Sequence, residues 1–145
     1  MSGTIRPATA YDTDAIIDIW LRASRTGHAF IPYDFWLSRA EDMARIHLPG
    51  STTHILETGG QIVAFVSLVG THLAALFVHP DHQGSGHGRR LLDFAKAGHS
   101  RLSLCAYLRN ERALRFYRNA GFRVLEERLE PMAREPEAFM QWARE

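Results

Sequence analysis

The residues of this chain that are best spaced for chemistry are three glycines in one short segment. Gly84, Gly86 and Gly88 occupy every second position between an apolar run that ends at Val78 and a helical pattern. Because glycine has no side chain, successive backbone N–H groups can converge there on one oxyanion. The N-terminus of the following helix adds unpaired amides and a positive dipole end. The segment therefore predicts an anion-binding loop that suits a diphosphate.

Two familiar phosphate-binding loops do not match this segment. A Walker loop places Lys and then Ser or Thr directly after its last glycine, whereas Gly88 is followed by Arg89 and Arg90. A dinucleotide-binding loop has an acidic residue about 20 positions further on, which holds a ribose. Cys105 and Tyr107 stand near that place. Neither a nucleoside-triphosphate site nor a Rossmann site is therefore predicted.

The loop and a second motif together resemble the GNAT acetyltransferase superfamily. The loop reads QxxGxG over residues 83–88, and the second motif reads NxxAxxFYxxxGF over residues 110–122. Residues 5–8 look like the first strand of the family, so the resemblance covers nearly the whole chain. A TxHxF segment at residues 26–30 is similar to that of small bacterial N-acetyltransferases within the family.

The resemblance implies an α/β protein with the GNAT fold, in which a mixed central sheet carries helices on both faces, as a single domain over residues 1–145. In this fold the strand before the loop and the strand before the second motif splay apart, and the pantetheine of acetyl-CoA lies between them. The residues that the resemblance implies for binding this cosubstrate are Leu76, Phe77, Val78, Gln83, Gly84, Ser85, Gly86, His87, Gly88, Arg89, Asn110, Ala113 and Phe116. For Asn110, a helix N-cap is the alternative role.

The implied activity is direct transfer of an acetyl group from acetyl-CoA to a primary amine of a small molecule or peptide. Two alternatives stay open. The first is an enzyme that acetylates lysine side chains or N-terminal amines of proteins. The second is a non-catalytic module that binds or senses acyl-CoA, which would keep the glycine loop and lose the acid–base pair.

Tyr117, in the second motif, is the predicted general acid. A phenol with a pKa of about 10 is protonated at neutral pH and can give its proton to a departing thiolate with a pKa of about 8.5. The alternative is an aromatic residue on the inner face of a helix, next to Phe116.

The acceptor amine must lose a proton, because a lysine-like ammonium has a pKa of about 10.4. GNAT enzymes often use a carboxylate on one of the two splayed strands, but the corresponding places here are His72 and Cys105. His72 has a suitable unperturbed pKa for a general base, and its alternative role is that of a solvated strand-end histidine. Glu57 is the fallback.

The acceptor side is expected between the first two helices and along the strand before the second motif. His28 and Phe30 lie in the first of these segments and are predicted to bind the acceptor, and His28 could instead relay a proton. The alternative is that Phe30 anchors the helices and His28 only bonds a backbone carbonyl. Strand alternation puts Cys105 on one face with Ser103 and Tyr107, so Cys105 is predicted to line the acceptor pocket unless it packs as a small hydrophobe.

Three further histidines, His79, His82 and His87, surround the loop but do not have the spacing of a helical metal-binding pair. We therefore expect them to flank phosphate, and no metal site is predicted.

Composition limits the other possibilities. A chain of 145 residues with 46% hydrophobic content is long enough for one core. A net charge of +1 argues against general nucleic-acid binding, although arginines recur at 109, 112, 115, 118 and 123, mostly as an expected solvated face. One cysteine and no membrane-length apolar run favour the cytoplasm. The final apolar strand is expected to allow a homodimer.

The pattern of apolar residues predicts the elements that position these groups in the order βααβββαβαββ. Gly59-Gly60 predicts a hairpin, and Asp12 is expected to cap the first helix. Strands are predicted at 5–8, 53–57, 61–69, 72–78, 101–107, 122–129 and 138–143, and helices at 12–24, 36–48, 86–97 and 110–119.

Overall fold

A computed structural model describes residues 3–145, so Met1 and Ser2 of the predicted domain 1–145 lie outside the described part. The predicted order of elements, βααβββαβαββ, is confirmed. The strands are β1 (Thr4–Pro7), β2 (Thr52–Thr58), β3 (Gln61–Val69), β4 (His72–Val78), β5 (Arg101–Tyr107), β6 (Arg123–Glu130) and β7 (Glu135–Ala143). The helices are α1 (Thr13–Gly27), α2 (Tyr33–Asp42), α3 (His87–Ala97) and α4 (Glu111–Asn119).

Most elements differ from the sequence prediction by one or more residues at their ends, and the shifts in α2 and β7 are among the largest. α2 begins at Tyr33, directly after Pro32, and a wider turn follows it at Met43–His47, where the Leu48 N–H donates to the Met43 carbonyl oxygen at 2.9 Å. β7 begins at Glu135 because Glu130 and Glu135 pair across a tight β6–β7 hairpin. The loop between the last two strands is therefore shorter than the predicted polar segment 131–136.

The seven strands form one mixed sheet in the order β1-β2-β3-β4-β5-β7-β6. β4 and β5 are the only parallel neighbours among residues 3–145, and they are in register at a single position, His72 with Ser103. A bulge between Ser67 and Leu68 shifts the β3–β4 ladder, and such a bulge bends and twists a strand. β5 instead pairs with β7 along its full length. The carboxyl ends of β4 and β5 therefore diverge, as the resemblance implied.

Helices cover both faces of the sheet, as predicted. Buried residues of the layer under α1 and α2 include Ile16, Ile19, Trp20, Trp36 and Phe65. Buried residues of the layer under α3 and α4 include Leu91, Leu92, Leu104, Leu114 and Met140. Within residues 3–145, no helix combines the length and the apolarity needed to cross a membrane.

The prediction that Asp12 caps the first helix is wrong, because its side chain makes no capping hydrogen bond at the start of α1. Its carboxylate accepts from Arg6 Nη1 at 2.8 Å and Nη2 at 3.0 Å, and from the Thr9 N–H at 2.7 Å. The bonds from Arg6 lower the pKa of Asp12 to about 2. Arg6 Nε also donates to Glu57 at 2.9 Å. The cluster joins β1 and β2 to the turn before α1, and it engages Glu57, the fallback base, in an ion pair.

Both edges of β7 are paired within the chain, one with β5 and the other with β6. β7 therefore offers no free edge to a second copy, and that part of the dimer expectation is corrected. The edge strand on this side is β6, on which Leu125 and Leu129 are exposed. The homodimer itself stays a prediction.

Candidate active site

A cleft of about 710 Å³ opens where β4 and β5 diverge. The end of β4 forms one wall, the segment before α3 forms the floor, and the start of α4 forms the opposite wall. The structure brings all of the predicted coenzyme-binding residues to this cleft except Ser85. These are Leu76, Phe77, Val78, Gln83, Gly84, Gly86, His87, Gly88, Arg89, Asn110, Ala113 and Phe116.

The glycine loop has a backbone that other residues rarely adopt. Gly84 and Gly86 both have φ of +83°, and Gly86 immediately precedes the first turn of α3. The first amides of an α-helix have no partner within the helix, so those of α3 are free for an anion. A Cβ atom on Gly88 would lie 3.5 Å from Val78 Cγ2 and 3.7 Å from Phe116 Cζ. A larger side chain at position 88 would therefore fill the gap between β4 and α4.

Gln83 fastens the loop to both walls of the cleft. Its Nε2 donates to the Val78 carbonyl oxygen at 3.1 Å, and its Oε1 accepts from Arg112 Nη1 at 3.3 Å. Arg112 and Arg109 line the cleft, and so does Arg89. Two of the arginines expected on a solvated face therefore face the cleft, and the charge that they bring suits a phosphorylated ligand.

Asn110 is the N-cap of α4, because its Oδ1 accepts from the Ala113 N–H at 3.2 Å. This cap starts the helix that carries Ala113, Phe116 and Tyr117 into the cleft. The N-cap role of Asn110 is thus confirmed. The residue also lines the cleft, and its binding of the coenzyme stays a prediction.

Tyr117 lies where the coenzyme cleft meets a second cavity. Its side chain packs on Phe116 and Phe122, with ring centroids 5.1 and 5.6 Å away, and the residue is 9% exposed. Its hydroxyl makes no hydrogen bond to another residue of the described chain 3–145. Burial raises the pKa of Tyr117 above that of an ordinary phenol. The residue is therefore protonated at neutral pH, and its proton is not engaged by a protein acceptor.

The second cavity has a volume of about 460 Å³ and extends under α1 and α2. It shares His28, Leu76, Phe77, Asn110, Ala113 and Tyr117 with the coenzyme cleft. Cys105 and Tyr107 of β5 form its floor, together with Glu130 and Glu137 from the last two strands. The two cavities form one continuous site on both sides of Tyr117.

Aromatic rings surround His28 at this junction. The His28 ring is stacked on Trp36 at 5.3 Å and meets Phe30, Phe77 and Tyr107 edge to face at 5.9, 6.2 and 5.1 Å. Its Nδ1 is buried and has no hydrogen-bond partner. Burial lowers the pKa of His28 to about 4. His28 is therefore a neutral part of an aromatic wall at pH 7.

Two carboxylates, Glu130 and Glu137, face this wall. The Tyr107 hydroxyl donates to Glu130 Oε1 at 3.2 Å, and burial together with the Glu130 charge raises the pKa of Tyr107. Glu137 is the register partner of Tyr107 on β7, and its side chain is 12% exposed. Sequence reasoning missed both glutamates. Strand alternation was the only signal in the sequence for them, and it places them at the cavity only once β7 is known to pair with β5.

Cys105 lines the second cavity, as predicted, whereas His72 lies outside both linings. His72 Nδ1 is 2.9 Å from Ser103 Oγ, at the closed end of the β4–β5 pair. That end is about 16 Å along the strand from Phe77. Burial and the charge of Arg128 lower the pKa of His72. The structure does not bring His72 to Tyr117, so its role as a base stays a prediction.

The three loop histidines divide between the cleft and the turn beside it. His82 and His87 line the coenzyme cleft, while His79 Nδ1 accepts from the Asp81 N–H at 3.1 Å. In the described part of the chain, no group of three His, Cys, Asp or Glu residues could hold a metal ion.

Splayed strands and a glycine loop that form a cleft beside a buried phenol are the architecture expected of an acetyltransferase. The chain belongs to the GNAT acetyltransferase family: residues 49–124 match the family described as "Acetyltransferase (GNAT) domain". Enzymes of this family take their acetyl group from acetyl-CoA. The prediction of an acetyl-CoA-dependent N-acetyltransferase is therefore confirmed.

Named relatives span most of the chain. It is 30% identical over 139 residues to the peptidyl-lysine N-acetyltransferase YiaC of Escherichia coli K12, a match that covers 95% of each protein. It is 31% identical over 122 residues to the peptidyl-lysine N-acetyltransferase YjaB of the same organism, which covers 83% of this chain and 82% of YjaB. The solution structure of apo YjaB superimposes with a TM-score of 0.88 at 25% identity over the full length of both chains. The predicted GNAT fold is confirmed.

Proposed function

We propose that this enzyme transfers the acetyl group of acetyl-CoA to the ε-amino group of lysine side chains in proteins. The observation that carries the proposal is the second cavity, which joins the coenzyme cleft at Tyr117 and has both aromatic walls and carboxylates. Aromatic walls suit the methylenes of a lysine, and carboxylates suit its ammonium. The activity named for YiaC and YjaB supports lysine over a small-molecule amine.

The coenzyme would be held mainly by main-chain groups. Within residues 3–145, the side of β4 that faces β5 has no strand partner beyond His72, so backbone groups of Leu76 and Phe77 on that side would bind the pantetheine arm, while the Val78 carbonyl already accepts from Gln83. The amides at the start of α3, with Arg89 and Arg112 beside them, would hold the diphosphate. Acetyl-CoA supplies an activated thioester, and a backbone N–H near Phe77 would polarise its carbonyl.

In the proposed mechanism a neutral lysine amine attacks the thioester carbonyl directly. The nitrogen–carbon bond forms and the carbon–sulfur bond breaks. Tyr117 gives its proton to the departing thiolate, and the proton that the nitrogen releases as the amide forms restores the Tyr117 hydroxyl through solvent. Burial raises the pKa of Tyr117, and the same desolvation raises the proton affinity of the departing thiolate, so the two effects partly offset each other.

The proton that the lysine ammonium must lose has nearer acceptors than His72. Glu130 and Glu137 line the cavity that the amine would occupy, whereas His72 would need a relay along β4. We therefore assign the proton acceptor to this carboxylate pair, with Glu137 as the first candidate, acting directly or through water.

The test separates the three kinds of acceptor. One peptide has a blocked N-terminus and a single lysine, its matched control has a free N-terminus and an acetylated lysine, and a polyamine represents small amines. Each is incubated with enzyme and acetyl-CoA, and mass spectrometry detects the added acetyl group. We expect modification of the first peptide. Modification of only the free N-terminus or the polyamine would contradict the proposal, and tight coenzyme binding without any product would favour the sensing module.

We also propose the cytoplasm as the location of the enzyme. Acetyl-CoA is the donor, and Cys105, the single cysteine, is a free thiol suited to a reducing compartment. Fractionation of cells that contain a tagged chain would test this location.

A further inference from the structure

Arg128, on β6, lies against residues that line the acceptor cavity. Its Nε is 3.3 Å from Glu137 Oε2, and its Nη2 donates to Cys105 Sγ at 3.2 Å. The guanidinium carbon is 5.2 Å from the centroid of the Phe139 ring, and Nη1 is 3.2 Å from Glu126 Oε2. The Arg128 guanidinium is thus a positive charge that lies next to Glu137, beside the cavity.

The ion pair between Arg128 and Glu137 is weaker than the ion pair between Arg6 and Asp12. Arg6 grips Asp12 with two bonds of 2.8 and 3.0 Å, a fork-to-fork pair of the stronger type. Arg128 reaches Glu137 through one bond of 3.3 Å, and its side chain is 46% exposed. Half-exposed pairs of this kind contribute little to stability. Arg128 can therefore leave Glu137 at low cost.

The Glu137 carboxylate needs a compensating cation more than Arg128 needs Glu137. Its side chain is only 12% exposed, and a carboxylate that is nearly buried is costly unless a positive charge or hydrogen bonds compensate it. Glu137 lies between Arg128 and Tyr107 in the register of the three strands, so it faces the aromatic wall on the side opposite the arginine. A second cation that arrives from the cavity can replace the first.

We propose that Arg128 is a tethered cation that occupies the ammonium-binding position in the free enzyme and is displaced by the substrate lysine. The inference rests on the proposed function. Exchange of one cation for another keeps Glu137 compensated throughout, whereas an uncharged group cannot drive the exchange. Arg128 is therefore a specificity-determining residue that raises the KM for every acceptor and most strongly penalises those without a positive charge.

The test compares Arg128→Gln and Arg128→Met with wild-type enzyme and with Arg123→Gln. Arg123 is an exposed arginine at the far end of the same strand, which makes it the matched control. The measurements are kcat and KM with the blocked lysine peptide, together with the dissociation constant of coenzyme A. We expect both Arg128 variants to lower the peptide KM about fivefold, the equivalent of one weak ion pair. The kcat, the coenzyme affinity and the Arg123→Gln enzyme should stay near wild type.

The remaining outcomes separate the inference from the proposed function. If wild-type enzyme acetylates the lysine peptide and the KM of both variants is unchanged or higher, the tethered-cation inference is overturned and the proposed function stands. A higher KM would mean that Arg128 contacts the substrate itself. If wild-type enzyme acetylates no lysine peptide, the proposed function fails and the inference fails with it. Two replacements of different polarity are used so that a folding defect in one leaves the other to decide.

Discussion

The coenzyme half and the acceptor half of this site are built in different ways. Most of the coenzyme half comes from one stretch, residues 76–117, to which the end of α1 adds one side, and its central feature is a loop of glycines that lines the cleft. The acceptor half is assembled from α1, α2 and the five strands β3 to β7, which are far apart in the sequence. The two halves share the residues around Tyr117.

This difference separates what is general from what is particular to the enzyme. Binding by the main chain of the glycine loop depends on backbone conformation, so the loop needs glycines at set positions and tolerates changes of the other side chains. A side-chain pocket depends on which rings and charges are present, so it decides which amine is accepted. Changes in one half should therefore alter one substrate constant and leave the other unchanged. The predictions below test that separation, the junction between the halves and the charge of the aromatic wall.

The largest effect is expected at the junction, from Tyr117→Phe. Loss of the proton donor should lower kcat by about 10² to 10⁴, which corresponds to roughly 3 to 5 kcal/mol. The dissociation constant of coenzyme A and the peptide KM should stay close to wild type, because the ring still fills its place against Phe116 and Phe122. Steady-state kinetics with both substrates saturating would measure the loss.

Tyr11→Phe is the matched control, since Tyr11 is 98% exposed and should leave all constants unchanged. An unaltered kcat in the Tyr117→Phe enzyme would remove this residue from the mechanism.

The next largest effect is expected in the coenzyme half, from Gly86→Ala. A Cβ atom at φ of +83° strains the backbone although no neighbour lies within 4 Å, so the cost is conformational. We expect coenzyme A to bind about tenfold more weakly by calorimetry, or roughly 1.4 kcal/mol. The peptide KM at saturating acetyl-CoA should not change.

Gly98→Ala, at the other end of α3, is the control. Its nearest contact would be 3.9 Å away and its φ of −92° suits alanine. Equal coenzyme affinity in both variants would show that the loop conformation is not what holds the diphosphate.

The coenzyme half was the part that could be predicted from sequence. Its glycines, the N-cap Asn110 and the flanking strand are neighbours in the chain, so spacing alone places them together. The order of elements was predictable for a similar reason, because each helix and strand has its own apolar period. The splaying of β4 and β5 came only from the family resemblance, since no local pattern encodes the divergence of two strands.

Most of the acceptor half could not be predicted from the sequence, because the order of strands in the sheet determines which of its residues meet. Glu137 meets Tyr107 only because β7 inserts between β5 and β6, and Arg128 reaches Cys105 across that same strand. His72 was a reasonable base by residue type, but its position on β4 puts it at the closed end of the splay. Residue type indicates chemistry, whereas distance depends on pairing that the sequence does not state.

A smaller effect is expected in the acceptor half, from Tyr107→Phe. The change removes the hydrogen bond to Glu130 and keeps the ring in the aromatic wall. One lost bond of this kind is worth about 1 kcal/mol, so the peptide KM should rise about fivefold while the affinity for coenzyme A stays unchanged. Weaker coenzyme binding in this variant would contradict the separation of the two halves.

The smallest effect concerns His28 and tests whether the aromatic wall is uncharged. The folded-state pKa of about 4 lies below the unfolded value of 6.5, so the unfolded chain binds more protons as the pH falls. The contribution of His28 to stability is thus complete above pH 6.5 and is lost as the pH falls from there towards 4. Asp12, with a pKa of about 2, acts only at lower pH.

Denaturant unfolding at pH 7.5 and pH 6 would isolate this contribution. Replacement by phenylalanine keeps a ring in the wall and removes the titration. Between pH 7.5 and pH 6 the free energy of unfolding should therefore fall by about 1 kcal/mol less in His28→Phe than in wild type. His54, His72 and His87 also have lowered pKa values, and they are present in both proteins, so they cancel in the difference. Identical pH dependence in wild type and His28→Phe would mean that His28 takes up a proton as readily in the folded enzyme as in the unfolded chain. The wall would then become cationic in mild acid and repel a lysine, which would make the acceptor half a charged pocket rather than an aromatic one.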